Sequence, residues 1–330
     1  MSDPKLHHYV PQAYQSRFGL DEQVLVKRRD PAKVYPSNVK NIAAETGFYT
    51  IIADDGTKST VVETELSKLD SLGVEAMRWI DENGELPAAG TKEREILCEY
   101  LAVQFKRTPR ERGMIMFPRK VAEYAGDKEI TVDLVAEYLR LRHLGRKPRE
   151  NEARAAWTWM QGLRSEAGGD PTKTDAVLLT LRGVEGIMSR LRARHWRLEV
   201  SRKPQFLTSD APMVLWRKPS PKDRFSGIGI EDADEIRFPL NGSAQLVLVP
   251  GRGSSVCDVS LARMWECNRD LAKTCNQVVI GHPGRAAWAD KIVLNKRGPA
   301  LRFNMAPGYE ELPDGRVVPT GNDILHLTTL

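Results

Sequence analysis

The sequence predicts an α+β fold, with a helical middle region packed with a mainly antiparallel C-terminal sheet. Three observations carry this. Apolar residues from Val62 to Ile80, and again from Val177 to Leu191, recur at three- and four-residue intervals, the period of one buried helical face. From Trp196 onward the pattern shortens towards a period of two, as in strands. The 330 residues, 41% hydrophobic and 28% charged, suffice for one large core or two modest ones. A single domain over 1–330 is the expected organisation, with a subdivision into a mostly helical 1–195 and a mixed sheet over 196–330.

In chain order, Tyr14 and Phe18 lie four residues apart behind Pro11, which can open a helix, and Gly19 is a candidate left-handed cap. A short helix over about Pro11 to Phe18 follows, with His7 and His8 at its entrance. Val24 to Val26 and Phe48 to Ile52 read as strands, with turns at Asp30-Pro31 and at Asp54, Asp55, Gly56. Thr60 and Glu63 have the spacing of a capping box. The helix behind them buries Val62, Leu66, Leu69, Gly73, Met77 and Ile80 and closes at Asn83-Gly84. The next helix runs from Lys92 to about Lys106 and stops before Pro109.

Thr131 caps a helix carrying Leu134, Val135, Tyr138 and Leu139 that ends near Gly145, and another helix bears Trp157 and Met160. Asp170-Pro171 opens a longer helix with Val177, Leu181, Val184, Met188 and Leu191 on one face. Strands are expected at Trp196 to Val200, Gln205 to Thr208, Met213 to Trp216, Ile236 to Leu240 and Gln245 to Val249. Lys218 to Asp234 reads as a surface loop. A helix over Ser260 to Thr274 and a strand over Gln277 to Ile280 follow. Pro307 to Thr320 reads as a loop or irregular hairpin turning at Asp314-Gly315.

Composition narrows the function classes. The uncharged apolar runs fall short of a membrane span, and Met1 to Lys5 lack the apolar stretch of a signal peptide, so no membrane partner and a cytoplasmic location are expected. Cys98, Cys257, Cys267 and Cys275 form no CxxC pair, which argues for core thiols over a zinc site or disulfide framework. Gly227-x-Gly229 lacks the third glycine of a dinucleotide fingerprint, so no nucleotide-cofactor motif is present. A net charge of +5 with a pI near 8.9 permits a nucleic-acid partner without demanding one. The run Arg190, Arg192, Arg194, Arg197, Arg202 and Lys203 beside Trp196 has two readings, a track for a nucleic-acid backbone or a solvated outer face.

The chemistry-bearing candidates are scattered. Gln104 and Asn268 fall on apolar helix faces and should point inward, where each carboxamide needs partners, whether loop backbone or a ligand. Arg107 lies nearly one turn past Gln104, with Lys106, Arg110 and Arg112 nearby. This cluster suits a phosphate or carboxylate, or is simply a solvated helix end. Ser209 and Asp210 end an apolar strand before Pro212. Asp210 can orient a histidine, ligate a metal or act as a base, or it can close an Asx-turn on its own backbone. Ser209 as a nucleophile lacks a G-x-S-x-G elbow.

Four stretches, His7-His8-Tyr9-Val10-Pro11-Gln12, Gln104 to Pro109, Phe206 to Pro212 and Asn268-Arg269, together carry a resemblance. The chain resembles the prokaryotic domain-of-unknown-function family 4238 from about His7 to His282. Members typically open with a histidine-tyrosine-valine-proline stretch and later carry a strand ending in Thr-Ser-Asp-x-Pro. Ala211 stands where that pattern usually has a polar residue. His7 and His8 also resemble the opening of a ββα-metal nuclease hairpin, with Asn38 and Asn41 as middle residues, but no histidine follows until His143.

The resemblance implies a shared fold and a common polar site, and brings no reaction with it. The expected site gathers His7 or His8, Gln104, Arg107, Asp210 and Asn268 in one pocket. The leading expectation is a hydrolase acting on a phosphodiester or nucleic acid. His7 or His8 would be the acid or base, Asp210 would orient it or share a divalent metal with it, and Arg107 would stabilise phosphate charge. Gln104 and Asn268 would position these groups, with Ser209 as a further substrate-binding or orienting residue. The alternative is a non-catalytic ligand- or nucleic-acid-binding regulatory module.

Overall fold

The computed structural model describes residues 6–52, 55–203, 205–219, 228–295, 301–311 and 317–329. It is an α+β fold whose contacts divide into two units, residues 1–112, 176–218 and 228–299 in the first and residues 113–175, 219–227 and 300–330 in the second.

The first unit opens with β1 (Leu6–His8), α1 (Gln12–Gln15), β2 (Gln23–Arg28), β3 (Lys33–Asn38), β4 (Ala44–Thr46), β5 (Ile51–Ile52) and β6 (Lys58–Ser59). The expected helix over Pro11 to Phe18 is only one α turn followed by a 3-10 turn at Ser16–Phe18, and Pro11 is its cap, not its first residue. Gly19 is extended, not left-handed, and a Cβ there would meet Val24 Cγ1 at 2.8 Å. The strand expected over Phe48 to Ile52 shortens to β5, because Gly47 at φ 69° starts a turn that carries Phe48 and Tyr49 into the core. Asp54 lies outside the described residues; Asp55 does close a turn, accepting the Thr57 N–H at 2.8 Å.

Next come α2 (Val61–Asn83), α3 (Lys92–Lys106) and α4 (Pro109–Ile115). Leu66, Leu69, Gly73, Met77 and Ile80 are buried, as the period requires, and Gly84 closes α2 in the left-handed conformation. Gly73 is needed for a close approach, since a Cβ would run into the Tyr100 ring on α3. The Thr60-Glu63 capping box does not form. Thr60 is at φ −108°, ψ 14°, away from the extended geometry of a side-chain cap, and Glu63 is turned to His7 instead.

In the second unit α5 (Phe117–Ala125), α6 (Val132–Leu139, capped by Thr131) and α7 (Glu150–Ala167) enclose Phe117, Val121, Tyr138 and Met160, joined by Phe303. The single helix expected after Asp170-Pro171 is two helices, α8 (Lys173–Leu181) and α9 (Val184–Arg192). Gly183, at φ 76°, breaks the backbone although the apolar spacing continues across it.

The remaining elements are β7 (His195–Val200), β8 (Thr208–Ser209), β9 (Val214–Trp216), β10 (Glu235–Pro239), β11 (Ala244–Val249), β12 (Ser254–Asp258), α10 (Leu261–Thr274), β13 (Val278–Gly281), α11 (Trp288–Lys291), β14 (Leu301–Glu311) and β15 (Val317–Thr329). Strands β7 to β13 complete two sheets of the first unit, ordered β12-β7-β11-β10-β9 and β3-β2-β13-β8, while β14 and β15 pair with each other in the second unit. Pairing is antiparallel except between β12 and β7. The strand expected at Gln205 to Thr208 is thus β8, in the second sheet. Of the Lys218 to Asp234 loop, residues 220–227, including Gly227, lie outside the description. Of the two readings of Pro307 to Thr320, the irregular hairpin holds: β14 pairs antiparallel with β15 with a register shift between Pro307 and Tyr309, and the turn expected at Asp314-Gly315 lies outside the described residues.

The first unit's core runs through α1. The Tyr14 ring packs tilted against Phe238, 5.1 Å between centroids, and edge-on against Phe18 at 5.4 Å, and its hydroxyl donates to Pro239 O at 2.8 Å while bonding Thr208 Oγ1 at 2.8 Å. The N-terminal segment is thereby tied to both larger sheets.

Candidate functional site

His7 and His8 sit on β1, where alternation sends one ring inward and the other outward. His7 is 1% exposed. Its Nδ1 accepts the Tyr49 N–H at 2.8 Å, and its Nε2 lies 3.2 Å from Glu63 Oε2. Because Nδ1 is an acceptor, the proton of the neutral ring is on Nε2 and faces that carboxylate. His8 is half-buried. Its Nε2 donates to Lys40 O at 3.1 Å and its Nδ1 accepts from Gln12 Nε2 at 3.2 Å. Burial lowers the His8 pKa, against the backbone carbonyls of Lys40 and Val39. Both nitrogens of each ring are therefore engaged by the chain.

Gln104 and Arg107 do meet. The Gln104 Nε2 donates to Tyr9 O at 3.1 Å, and its Oε1 accepts from Arg107 Nε at 3.0 Å and Nη2 at 2.8 Å. Arg107 Nη2 also reaches Asp70 Oδ1 at 2.5 Å. Arg107 is the C-terminal cap of α3 and is 1% exposed, so the solvated-helix-end reading of this residue is corrected. Burial opposes its charge, but Asp70 together with Tyr49 and Tyr100 outweighs burial and raises its pKa. Arg112 turns inward too, donating to Phe48 O at 3.0 Å with its guanidinium over the Phe48 ring. Arg112 thus holds the chain's own loop at Phe48, while Lys106 pairs with Glu111.

Asp210 is fully buried elsewhere in the unit. Its carboxylate accepts the N–H groups of Asn276 at 2.8 Å, Gln277 at 2.5 Å and Val278 at 3.1 Å. These lie across the sheet from it, not in an Asx-turn on its own backbone. Burial pushes its pKa up to about 6, while the three N–H bonds pull it down. Arg29 completes the brace, donating to the carbonyls of Cys275 at 3.0 Å and Asn276 at 3.0 Å. A carboxylate thus takes the N–H groups, and a guanidinium the carbonyls, of the α10–β13 connection. Ser209 Oγ accepts the Ala211 N–H at 3.1 Å. Asn268, inward as expected, accepts the Leu207 N–H at 3.0 Å and donates to Gln205 O at 2.8 Å. Its carboxamide serves the chain before β8 as a neighbouring peptide would.

The basic run is largely neutralised. Arg190 pairs with Glu231, Arg192 with Glu95 and Glu185, Arg197 with Glu199 and Glu235, and Arg202 with Asp258. Arg194 donates to Ala233 O at 2.8 Å. The four cysteines are free thiols, three of them buried. Among the described residues no group of three or more His, Cys, Asp or Glu is placed to hold a metal ion, and no helix is long and apolar enough to cross a membrane.

A cleft of about 440 Å³ opens at a different place in the first unit. Phe18, Ile80, Leu198 and Phe206 give it apolar walls; Arg17, Asp81, Gln205, Asn241, Ser243, His282 and Arg285 give it polar groups. Trp288 also lines it, 3% exposed, and its indole N–H finds no acceptor among the described residues. Such an orphan donor ordinarily costs about 1–3 kcal/mol. Arg17 donates to Asp81 Oδ2 at 2.8 Å and to Leu240 O at 2.7 Å.

Of the expected site, then, Gln104 bonds Arg107, and Arg107 lies near Tyr49, whose N–H donates to His7 Nδ1. The hydrogen bonds of His8, Ser209, Asp210 and Asn268 lead to other partners. None of these residues lines the cleft. Asp70 and Arg29, the partners that explain Arg107 and Asp210, and the cleft residues His282, Arg285 and Trp288 were not singled out by sequence. His282-Pro-Gly-Arg285, a turn signal flanked by a histidine and an arginine, is the one local cue. The family model described as protein of unknown function (DUF4238) matches residues 6–285. No curated protein and no solved structure matches the chain.

Proposed function

The chain belongs to the DUF4238 family, and we propose that it is a non-catalytic binding module that takes a small ligand in its cleft. The observation that carries this reading is where the polar atoms are spent. Both nitrogens of His8, the Nε and Nη2 of Arg107 and both carboxylate oxygens of Asp210 are engaged by the chain itself. A phosphodiester hydrolase built on them would need those same atoms within hydrogen-bond reach of a substrate. The cleft, by contrast, joins apolar walls to a few polar groups in the size range of small-molecule sites. Nucleic acid draws less support as the ligand, because most of the basic run beside Trp196 already has carboxylate partners.

Labelled RNA and DNA incubated with the protein, with and without Mg²⁺ or Mn²⁺, are expected to stay intact. Cleavage by the wild type that His8→Ala or Asp210→Asn abolishes, with both variants still folded, would restore the hydrolase reading.

A further inference from the structure

We propose that the end of the cleft formed by His282, Arg285 and Trp288 binds the head group of a small organic anion whose apolar body lies along Phe18, Ile80 and Phe206. This rests on the binding reading above. Three kinds of nitrogen donor come together within seven residues of chain. The Trp288 indole N–H is buried and has no acceptor among the described residues. His282 Nδ1 accepts the Gly284 N–H at 3.1 Å, which puts the proton of the neutral ring on Nε2, a second donor. Arg285 adds a guanidinium, suited to two-point contact with a carboxylate, sulfonate or phosphate.

Gly281 makes the arrangement possible. A Cβ there would lie 2.6 Å from Trp288 Nε1 and 2.7 Å from Leu207 Cδ2, so any larger residue would displace the indole from the wall. A purely inorganic anion would leave the apolar walls unused, and a neutral apolar ligand would leave the buried indole N–H unmet. An anion with an apolar body meets both requirements.

The test uses the full chain and two fluorescent probes sharing one ring skeleton, anionic 8-anilinonaphthalene-1-sulfonate and neutral N-phenyl-1-naphthylamine. The sulfonate is expected to bind one per chain, and Arg285→Gln to weaken it about ten-fold through loss of a charge-assisted contact. The neutral probe should change less than about two-fold, since it makes no such contact. Ser243→Trp or Gln205→Trp, which fill the cleft from two lining segments, should abolish binding of both probes in chains that still unfold cooperatively. Competition by 1-naphthoate and 1-naphthyl phosphate then separates a carboxylate from a phosphate ester as head group, and displacement by neither would overturn the proposal. Equal binding of the two probes, insensitive to Arg285→Gln, would overturn the anion assignment and leave the cleft reading standing. Binding that survives both filling variants, or no binding at all, would sink both.

Discussion

Arg107→Ala is expected to lower the free energy of unfolding by about 3–5 kcal/mol, the cost of breaking a buried ion pair from one side. The guanidinium is 1% exposed and holds Asp70 and the Gln104 carboxamide together. Without it, Gln104 Oε1 loses both of its donors and Asp70 its cation, and the Gln104 bond to Tyr9 O that pins the N-terminal segment is loosened. Urea unfolding monitored by tryptophan fluorescence measures the loss. Arg107→Lys should recover only part of it, because one ammonium cannot reproduce the forked contact to two acceptors. A catalytic arginine, spared from holding the fold, would show little change in stability.

Asp210→Ala should cost about 3 kcal/mol or more, since it strands three N–H groups at a buried position. Asp210 also gives stability a pH dependence of defined sign. Its folded pKa is raised to about 6, whereas an unfolded aspartate titrates near about 3.9. Between those values the folded chain binds more protons than the unfolded one, so this group's contribution to stability falls as pH rises from roughly 4 to 6 and is level above. Asp210→Asn should remove that slope. Unfolding free energies measured at several pH values between 4 and 7 check it, and a stability that rises with pH in the wild type but not in the variant would reverse the sign and refute the assignment.

What sequence could reach was what a single helix encodes. The extent of α3 follows from the apolar spacing and Pro109, and the inward direction of Gln104 and Asn268 follows from the same wheel. The resemblance seen from His7 to His282 agrees with the family match over residues 6–285. Gly183 was hidden because Val177, Leu181, Val184, Met188 and Leu191 keep one spacing on both sides of the break. The parallel pairing of β12 with β7 was hidden because strand partners are chosen far along the chain. The partners of Arg107 and Asp210 were beyond local pattern for the same reason: Asp70 is 37 positions from Arg107, and the N–H groups that Asp210 accepts begin 66 positions away. The cleft draws on segments from Arg17 to Trp288, so no single motif announces it.

The central claim separates the residues that hold the fold from those that meet a ligand. The most direct measurement is a titration of 8-anilinonaphthalene-1-sulfonate into Asp210→Asn and Ser243→Trp, each first shown to be folded. Affinity within about two-fold of wild type for Asp210→Asn, which should disturb no ligand contact, together with loss of binding for Ser243→Trp is the predicted result. Loss of the probe in folded Asp210→Asn with retention in Ser243→Trp would contradict it.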